Sequence, residues 1–559
     1  MPVALAQTAA PTLLISGASE ELERNIRAHV SMTGLACDLS TPRLNRLLPD
    51  IRQNLLRASR ALGFYQLTSQ ISLEQTDTCW NLHVAVTPGA PVTVADIAIT
   101  LNGSETSFFS MLDELPIQRG DTLNHAKYER LKSDLSALAV EQGFFAARFA
   151  SSQLLLDLEN NTVDIAIDFQ PGERFHFGNI DIAPIAELSD EFIKRYIEFS
   201  ENSFYSAKAL IDLRNALNNS LYFNEVLLTP ALGEAVDQRV PIQVALRMRP
   251  RQVYSVGGGA TTDIGPRVRA DYEDRYLNTS GHKFEVKTGA SPIQQNMDMN
   301  YLIPMLHPAT QRLQISSGFL REDNDTYQNL TSKLGVTYSF INAYNWRQNY
   351  FTNYQHDDYT LNDEIEIADI LIAGININRT RADDALYPTR GWRLFGQISG
   401  ASSDVLSTTS FLQLNLTGKI IQSVGVGRLL MKFDIGTSLV DDLTELPVSL
   451  KYFSGGDQSV RGYRYQSLGP LNENGDLEGG KHVFSVGAEF DFPFANNWKL
   501  AVFTDAGNAF NDWKDYKLSK SIGLGIRWLS PIGPIRFDLA SALDNDNKLR
   551  LHITMGPDL

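Results

Sequence analysis

Short runs in the second half of the chain alternate apolar and polar residues and are separated by Asp, Asn, Gly and Ser. Residues 482–492 place apolar side chains at every second position, with Glu489 and Asp491 between them. The same period of two continues in residues 521–528 and 549–555. Because successive side chains of a strand point to opposite faces, each run predicts a strand with one apolar and one polar face.

The composition of the polar faces indicates a membrane barrel. A soluble sandwich would alternate as well, but here Arg, Glu, His and Asp share the polar face with many small residues, as in a water-filled lumen. The chain has no run of 18 apolar residues, so we expect no membrane-spanning helix. We predict an all-β transmembrane barrel over residues 253–559, although strand length alone does not separate about 14 from about 18 strands.

The first half of the chain contains a repeated motif. Residues 61–65, Ala-Leu-Gly-Phe-Tyr, recur as Glu-Gln-Gly-Phe-Phe at 141–145 and, in degraded form, as Ser-Leu-Tyr-Phe at 220–223. Each copy closes an amphipathic stretch that predicts a helix, and Gly63 and Gly143 suit the C-terminal caps of the first two. The predicted helices cover residues 44–62, 123–139 and 207–221.

The repeat extends beyond the helix. Two alternating strands follow each copy and end at Pro88, Pro171 and Pro250, which are about 80 residues apart. A fixed period of this kind indicates tandem copies of one structural unit. Each unit reads as strand, helix, helix, strand, strand, and we place the units at residues 12–90, 91–172 and 173–252.

A glycine-rich stretch interrupts the alternation of the barrel: Gly455-Gly456-Asp457-Gln458-Ser459-Val460-Arg461-Gly462-Tyr463-Arg464-Tyr465. On an external loop Arg461 would simply be solvated. Its neighbours Val460 and Tyr463, however, favour burial. Such a loop inside a barrel points to a moving part or a latch rather than to a passive pore.

Further local sequences, taken together, resemble a known superfamily: Tyr387-Pro388-Thr389-Arg390-Gly391-Trp392, Val460-Arg461-Gly462-Tyr463, Phe503-Thr504-Asp505-Ala506-Gly507 and Trp528-Leu529-Ser530-Pro531-Ile532-Gly533-Pro534-Ile535. In this order, behind tandem repeats, they resemble the outer-membrane insertases, whose periplasmic repeats are POTRA domains. Three repeats, with Thr262-Asp263-Ile264-Gly265-Pro266-Arg267 in the first barrel strand and the ending Met555-Gly556-Pro557-Asp558-Leu559, most resemble the TamA family, the outer-membrane subunits of translocation and assembly modules. The resemblance covers nearly the whole chain from about Leu13.

The resemblance implies three α+β POTRA domains followed by a barrel of 16 antiparallel strands. In this superfamily the glycine-rich loop folds back into the lumen, where its arginine meets acidic residues of the wall. The matching acids are Asp505 and Glu489, both on predicted inward faces. A guanidinium group can hold a carboxylate through two parallel hydrogen bonds. The expected lumen latch consists of Val460, Arg461, Gly462, Tyr463, Asp505 and Glu489.

The seam where the barrel closes is a second candidate site. Gly257, Gly258 and Gly259 lie at the predicted start of the first strand, and Gly556 and Pro557 follow the last. Glycine weakens a ladder, and proline donates no backbone hydrogen bond. The weak pairing is either fraying near a terminus or a lateral gate at which a client strand pairs with the freed edge.

The resemblance implies an assembly factor that inserts client proteins, with autotransporters as the expected class, into the bacterial outer membrane. The expected partners are unfolded outer-membrane proteins, outer-membrane lipid and a TamB-like periplasmic protein anchored in the inner membrane, docked to the first repeat. The repeats would face the periplasm, as client-binding modules or as a plain stalk. The alternatives are a two-partner secretion transporter that exports a large adhesin, which usually has two repeats and a plug helix, and phospholipid transport.

Charge and motifs exclude other classes. A formal net charge of −16 argues against nucleic acid as a partner. The chain has no Gly-x-Ser-x-Gly, His-Glu-x-x-His or Walker A pattern, so we expect no enzymatic activity, no cofactor and no metal site.

Two further features concern export. Cys37 and Cys79 both fall in the first repeat and would meet an oxidising compartment, but sequence alone leaves their pairing open. Residues 3–7, Val-Ala-Leu-Ala-Gln, contain an Ala-x-Ala pattern without a charged start or a long apolar run. They are either the remnant of a truncated export signal, which we expect, or without meaning.

Overall fold

The computed structural model describes residues 10–32, 35–76, 79–101, 114–362, 364–514, 516–531, 533–544 and 549–559. The Ala-x-Ala pattern and Ile532 lie outside these residues. The chain divides into two compact units. The first holds the described residues up to Asp181 together with 199–212 and 228–243, and the second holds residues 182–198, 213–227 and everything from Val244 onward.

The first repeat folds as the sequence predicts, as a three-stranded sheet of order β1-β3-β2 covered by two helices. Its elements are β1 (Thr12–Ser16), α1 (Glu20–His29), α2 (Thr41–Ala61), β2 (Thr68–Gln75) and β3 (Trp80–Thr87). Leu22, Leu55 and Trp80 are fully buried between helices and sheet. Cys37 and Cys79, whose pairing the sequence leaves open, form a disulfide beside this core.

The other two repeats have the same plan. The second contains β4 (Thr93–Leu101), α3 (His125–Glu141), β5 (Arg148–Asp157) and β6 (Thr162–Gln170), in the sheet order β4-β6-β5. Its expected first helix falls on residues 102–113, outside the described part of the chain. The third contains β7 (His176–Ile182), α4 (Asp190–Lys194), α5 (Ala207–Asn219), β8 (Phe223–Pro230) and β9 (Arg239–Met248), in the order β7-β9-β8.

The repeated motif forms the joint between successive repeats. Gly63 and Gly143 follow α2 and α3 with φ of +85° and +89°, a conformation that suits glycine. Their carbonyl groups accept hydrogen bonds of 2.9 Å from the backbone N–H of Val92 and of Phe175, where the chain enters the next repeat. The glycine therefore ends a helix and also anchors the following repeat.

The aromatic residue two positions after each glycine completes the joint. The Tyr65 hydroxyl lies 2.8 Å from Nε2 of His125, and Phe145 packs edge-to-face on Tyr205 at 4.8 Å. Burial raises the pKa of Tyr65 and lowers that of His125. Both partners are therefore neutral at neutral pH, and their hydrogen bond does not depend on charge.

We expect Gly63→Ala to destabilise this joint more than Gly120→Ala. Both glycines have positive φ, +85° and +87°, so each alanine carries a similar backbone penalty of about 1–2 kcal/mol. A Cβ at Gly63 would lie 2.6 Å from the Leu123 carbonyl oxygen, whereas a Cβ at Gly120 meets nothing within 4 Å. Urea unfolding of the full chain, followed by tryptophan fluorescence and proteolysis of the repeats, measures the difference. Equal losses of unfolding free energy in the two variants would show that the close contact at Gly63 does not stabilise the joint.

The degraded third copy contacts the barrel instead of another repeat. Leu221 takes the place of the glycine and keeps a positive φ of +65°. Next to it, the Tyr222 hydroxyl donates to the Gly281 carbonyl. The Lys283 ammonium group donates to the Ser220 carbonyl at 2.7 Å. The third joint thus binds the β11–β12 hairpin of the barrel through one hydrogen bond that the repeat donates and one that the hairpin donates.

The barrel is one antiparallel sheet of 16 strands in sequence order, as the resemblance implies, and it starts one residue before the predicted boundary. Its strands are β10 (Gln252–Thr261), β11 (Gly265–Asp274), β12 (Lys283–Ala290), β13 (Gln294–Pro304), β14 (Gln311–Asp323), β15 (Tyr327–Ile341), β16 (Arg347–Leu361), β17 (Glu364–Ala382), β18 (Gly391–Ala401), β19 (Phe411–Val424), β20 (Gly427–Leu439), β21 (His482–Ala495), β22 (Trp498–Phe510), β23 (Ser519–Ser530), β24 (Gly533–Ala542) and β25 (Leu549–Met555).

The predicted faces agree with the exposure of the strands. On β23, Ile522 and Leu524 are 56% and 66% exposed, while Ser521 and Arg527 are buried. The apolar face therefore points outward to lipid and the polar face points into the lumen. No helix in the described residues is both long enough and apolar enough to cross a membrane.

Two expectations about the first strand are wrong. Gly257, Gly258 and Gly259 lie in the middle of β10, where they pair with β11, because the residues before them already belong to the ladder. Thr262, Asp263 and Ile264 form the turn after β10 instead of continuing the strand. This turn brings the Asp263 carboxylate to the end of the first strand.

Candidate functional site

The segment between β20 and β21, residues 440–481, is the lumen loop. Gly455, Gly456 and Gly462 have φ between +97° and +104°, which side chains with a Cβ rarely adopt. A Cβ on Gly455 would also lie 2.4 Å from the Arg464 carbonyl oxygen. These glycines allow the chain to turn tightly, so that the residues around Arg461 enter the interior of the barrel.

Arg461 is held by three carboxylates of the wall. Its Nε and Nη2 donate to the two oxygens of Asp505 at 2.7 and 3.0 Å, which is a bidentate arrangement. Its Nη1 donates to Glu489 at 2.8 Å and to Asp538 at 3.0 Å. The side chain is only 8% exposed, and its guanidinium group lies 3.4 Å from the centre of the Phe503 ring. The cation is therefore paired on every edge and covered on one face.

A second arginine completes this group, which we call the lumen ion cluster. Arg527 on β23 contacts Glu489 at 2.8 Å and Asp538 at 2.5 Å, so both acids lie between the two guanidinium groups. The sequence predicted Asp505 and Glu489, and the structure brings both to Arg461. Asp538 and Arg527 were not predicted, although both alternate on the polar face of their strands.

The neighbours of Arg461 are also docked. Val460 is fully buried, and Tyr463 is 6% exposed, in a small apolar cluster with Ala542 of β24. The Tyr463 hydroxyl donates to the Lys520 carbonyl at 3.3 Å. The backbone N–H of Gly462 donates to Nε2 of His552, on the last strand, at 2.8 Å. The four latch residues of the loop thus bind β21, β22, β23, β24 and β25 at once.

The two end strands of the sheet lack a ladder between them. Among the described residues, the N–H of Thr262, just after β10, donates to the Ile553 carbonyl at 3.2 Å, and this is their one backbone hydrogen bond. The Ile553 N–H donates to the Thr262 side-chain oxygen at 3.2 Å. The glycines of β10 and the ending at Gly556 and Pro557 flank this weak contact.

The tail after β25 forms a second ion cluster, which we call the tail cluster. Gly556 turns the chain with φ of +135°, and Asp558 contacts Arg428 at 3.0 Å and also Arg536. Arg428 forms a further ion pair with Asp491. It stacks 3.9 Å above the ring of Tyr387. Tyr387 directly precedes residues 388–391, which we call the Pro-Thr-Arg-Gly turn. No local pattern in the sequence indicated this group.

The Pro-Thr-Arg-Gly turn is fixed from both sides. The Pro388 carbonyl accepts a hydrogen bond from Arg428 at 2.5 Å. On the other side, the Thr389 hydroxyl, with help from the Arg390 backbone N–H, lowers the pKa of Asp383 to about 2. Asp383 is therefore ionised at every physiological pH and holds the turn as a permanent hydrogen-bond acceptor.

Comparison with known proteins agrees with this architecture. The Omp85 superfamily domain matches residues 277–558. The POTRA domain TamA domain 1 matches residues 12–88, and a POTRA domain described as surface antigen variable number repeat matches residues 92–172. None of these matches is a catalytic family.

Individual relatives are distant. The outer membrane protein assembly factor BamA of Neisseria meningitidis serogroup B is 21% identical over 503 residues, covering 74% of this chain and 61% of the relative. BamA of Nitratidesulfovibrio vulgaris is 21% identical over 438 residues, covering 74% of this chain and 54% of the relative. The chain therefore spans less than two thirds of the length of these relatives.

A solved structure shares the fold. BamA from Haemophilus ducreyi lacking POTRA domains 1–3 superimposes with a TM-score of 0.68 at 17% identity, covering 83% of this chain and 99% of that one. Tandem POTRA repeats ahead of a 16-stranded barrel define an outer-membrane β-barrel protein whose repeats lie in the periplasm. The chain belongs to the Omp85 superfamily.

Proposed function

We propose that this protein is an assembly factor that helps client proteins, of the autotransporter class, to fold and insert into the outer membrane through the seam between β10 and β25. The observation that carries the proposal is that, within the described part of the chain, a single backbone hydrogen bond joins these edges. Unpaired backbone groups in lipid each cost several kcal/mol, so an edge of this kind favours pairing with an incoming strand. The BamA relatives, which are named assembly factors, support the same reading.

The lumen loop gives the seam a support that a regular ladder would otherwise provide. Gly462 binds His552 of the last strand, and the Thr262 hydroxyl donates to Asp457 of the loop at 2.9 Å. The loop therefore contacts both edges from inside. We propose that it keeps the seam closed at rest and that an entering client strand replaces the one backbone bond.

The repeats would deliver clients to this edge and dock the periplasmic partner. The sheets β1-β3-β2 and β4-β6-β5 leave β2 and β5 with one strand neighbour each, and such edges can accept an extended chain through main-chain hydrogen bonds. The TamA-type match of the first repeat supports a TamB-like protein, anchored in the inner membrane, as the partner docked there.

Locking the seam tests the proposal. We expect the pair Thr262→Cys and Ile553→Cys, once oxidised, to leave the barrel folded but to reduce insertion of an autotransporter β-domain into liposomes to the rate of protein-free liposomes. Reduction of the disulfide should restore insertion. The single variant Thr262→Cys controls for loss of the Thr262 hydroxyl, and the single variant Ile553→Cys controls for loss of the isoleucine side chain.

A matched pair inside a regular ladder controls for the crosslink itself. Ile522 and Ser541 face each other on β23 and β24, so the pair Ile522→Cys and Ser541→Cys joins strands that are already paired and should not slow insertion. If the seam-locked barrel inserts clients at the normal rate, the hypothesis that clients enter through this seam is wrong. Export of a soluble adhesin by the locked barrel would favour two-partner secretion.

A further inference from the structure

Three elements meet at one buried point inside the barrel. Asp263 comes from the turn after the first strand, Asp457 from the lumen loop and His552 from the last strand, and their ligand-type atoms all lie within 4.8 Å of one another. The side chains of His552 and Asp457 are only 1% and 3% exposed. The glycine before Asp457 makes the approach possible, since a Cβ on Gly456 would lie 2.6 Å from an Asp263 oxygen.

The hydrogen bonds orient Asp457 and leave one of its oxygens without a partner. Nε2 of His552 accepts the N–H of Gly462, so the ring proton lies on Nδ1, which faces Oδ1 of Asp457. Thr262 donates to the same Oδ1 at 2.9 Å. Oδ2 is buried and has no hydrogen-bond partner among the described residues. Because both ring nitrogens are engaged, His552 holds Asp457 in place and is not free to act as a ligand.

Asp263 and Asp457 differ from the other acids around the lumen loop in their lack of a Lys or Arg partner within the described part of the chain. Asp505 and Asp538 each contact an arginine of the lumen ion cluster. Asp263 and Asp457 have no Lys or Arg within ion-pair distance among the described residues, and the Asp457 N–H donates to Oδ2 of Asp263 at 2.7 Å. A half-buried and a buried carboxylate therefore face each other without a described Lys or Arg side chain beside them.

We propose that Asp263 and Asp457 bind one hard divalent cation, of the calcium or magnesium type, which joins the first strand to the lumen loop beside the last strand. Calcium takes oxygen ligands at about 2.3–2.6 Å, so two oxygens across one ion lie up to about 5 Å apart, as this pair does. The ion neutralises the pair and gives the buried Oδ2 its partner. The sequence offered no metal-ligand pattern, because the two aspartates are far apart in the chain.

This site goes beyond the proposed function, and its test uses no client. The full-length protein is refolded in detergent, stripped with a chelator and titrated with calcium chloride or magnesium chloride in a calorimeter and in thermal unfolding. We expect one ion per chain and a rise in Tm of about 2–4 °C at concentrations several times the Kd. Asp263→Asn and Asp457→Asn should abolish both signals, whereas Asp476→Asn, an exposed aspartate of the same loop, should keep them.

The ion-free proteins provide a second measurement. Without divalent cation, Asp263→Asn should melt above the wild type, because it removes one of the two facing charges. Absence of calcium and magnesium binding in the wild type would overturn the proposal. Binding of zinc chloride but not of calcium would make His552 a ligand and overturn the hard-cation assignment.

Discussion

Arg461→Ala is expected to release the lumen loop and to cost the barrel about 3–5 kcal/mol, since truncation leaves buried carboxylates without their cation. Asp505 loses a bidentate partner, and Glu489 and Asp538 keep only Arg527. Urea unfolding in detergent measures the loss. Trypsin should then cleave after Arg464, which is in the same loop, at enzyme concentrations that leave the wild type intact.

Arg464→Ala is the matched control for this result. Arg464 is three residues away, and its side chain is 66% exposed in contact with Asp325; such surface pairs contribute little to stability. A double-mutant cycle of Arg461→Ala with Asp505→Ala should show strong coupling, because the second change removes a carboxylate that the first leaves unpaired. Additive effects would contradict the pairing. Client insertion should also fall more than the amount of folded barrel.

Arg428→Ala should have an effect of similar size at the other ion cluster. Its guanidinium group holds Asp491 through two nitrogens and reaches Asp558 and the Pro388 carbonyl through the third. Its loss leaves the buried Asp491 with Lys499 and the buried Asp558 with Arg536 as their remaining cations. Because both acids lose their main partner, we expect a cost of up to about 3–5 kcal/mol. The measurement is the urea midpoint of the folded band in unheated gel electrophoresis.

Two further variants separate charge from geometry at this cluster. Arg428→Lys keeps the charge but cannot form the forked contact with Asp491, so it should recover only part of the loss. Arg390→Ala, an exposed arginine of the Pro-Thr-Arg-Gly turn, should behave like the wild type. Full recovery by lysine would show that charge alone matters there. Combined with Arg461→Ala, Arg428→Ala should be additive if the two clusters are independent.

What the sequence could predict depends on how local the signal is. A period of two places Glu489 and Asp505 on inward faces regardless of tertiary detail, and the glycine-rich loop then supplies the arginine that meets them. Helix ends were predicted to within a few residues at Gly63 and Gly143, because glycine at a cap is a local requirement. These are properties of about ten consecutive residues.

Other features depend on contacts between distant parts of the chain. Arg428 meets Asp491 63 residues later and Asp558 130 residues later, and nothing near any of them signals the meeting. The disulfide could not be predicted, because the two cysteines are 42 residues apart and the sequence does not show the distance between them in space. The expectation that the glycines begin β10 is wrong. Val253 to Val256 carry no turn residue and already belong to the same strand.

The position of the lumen loop has a consequence for biogenesis. The loop ends before β21, and every wall residue that binds Arg461 or Gly462 lies later in the chain, from Glu489 on β21 to His552 on β25. The loop therefore precedes in the chain the wall residues that hold Arg461 and Gly462. We expect the loop to dock as β24 and β25 add to the sheet, because these strands bring Asp538 and His552 to it. Docking of the loop and completion of the wall would then be coupled, because the final strands carry part of the binding site for the loop.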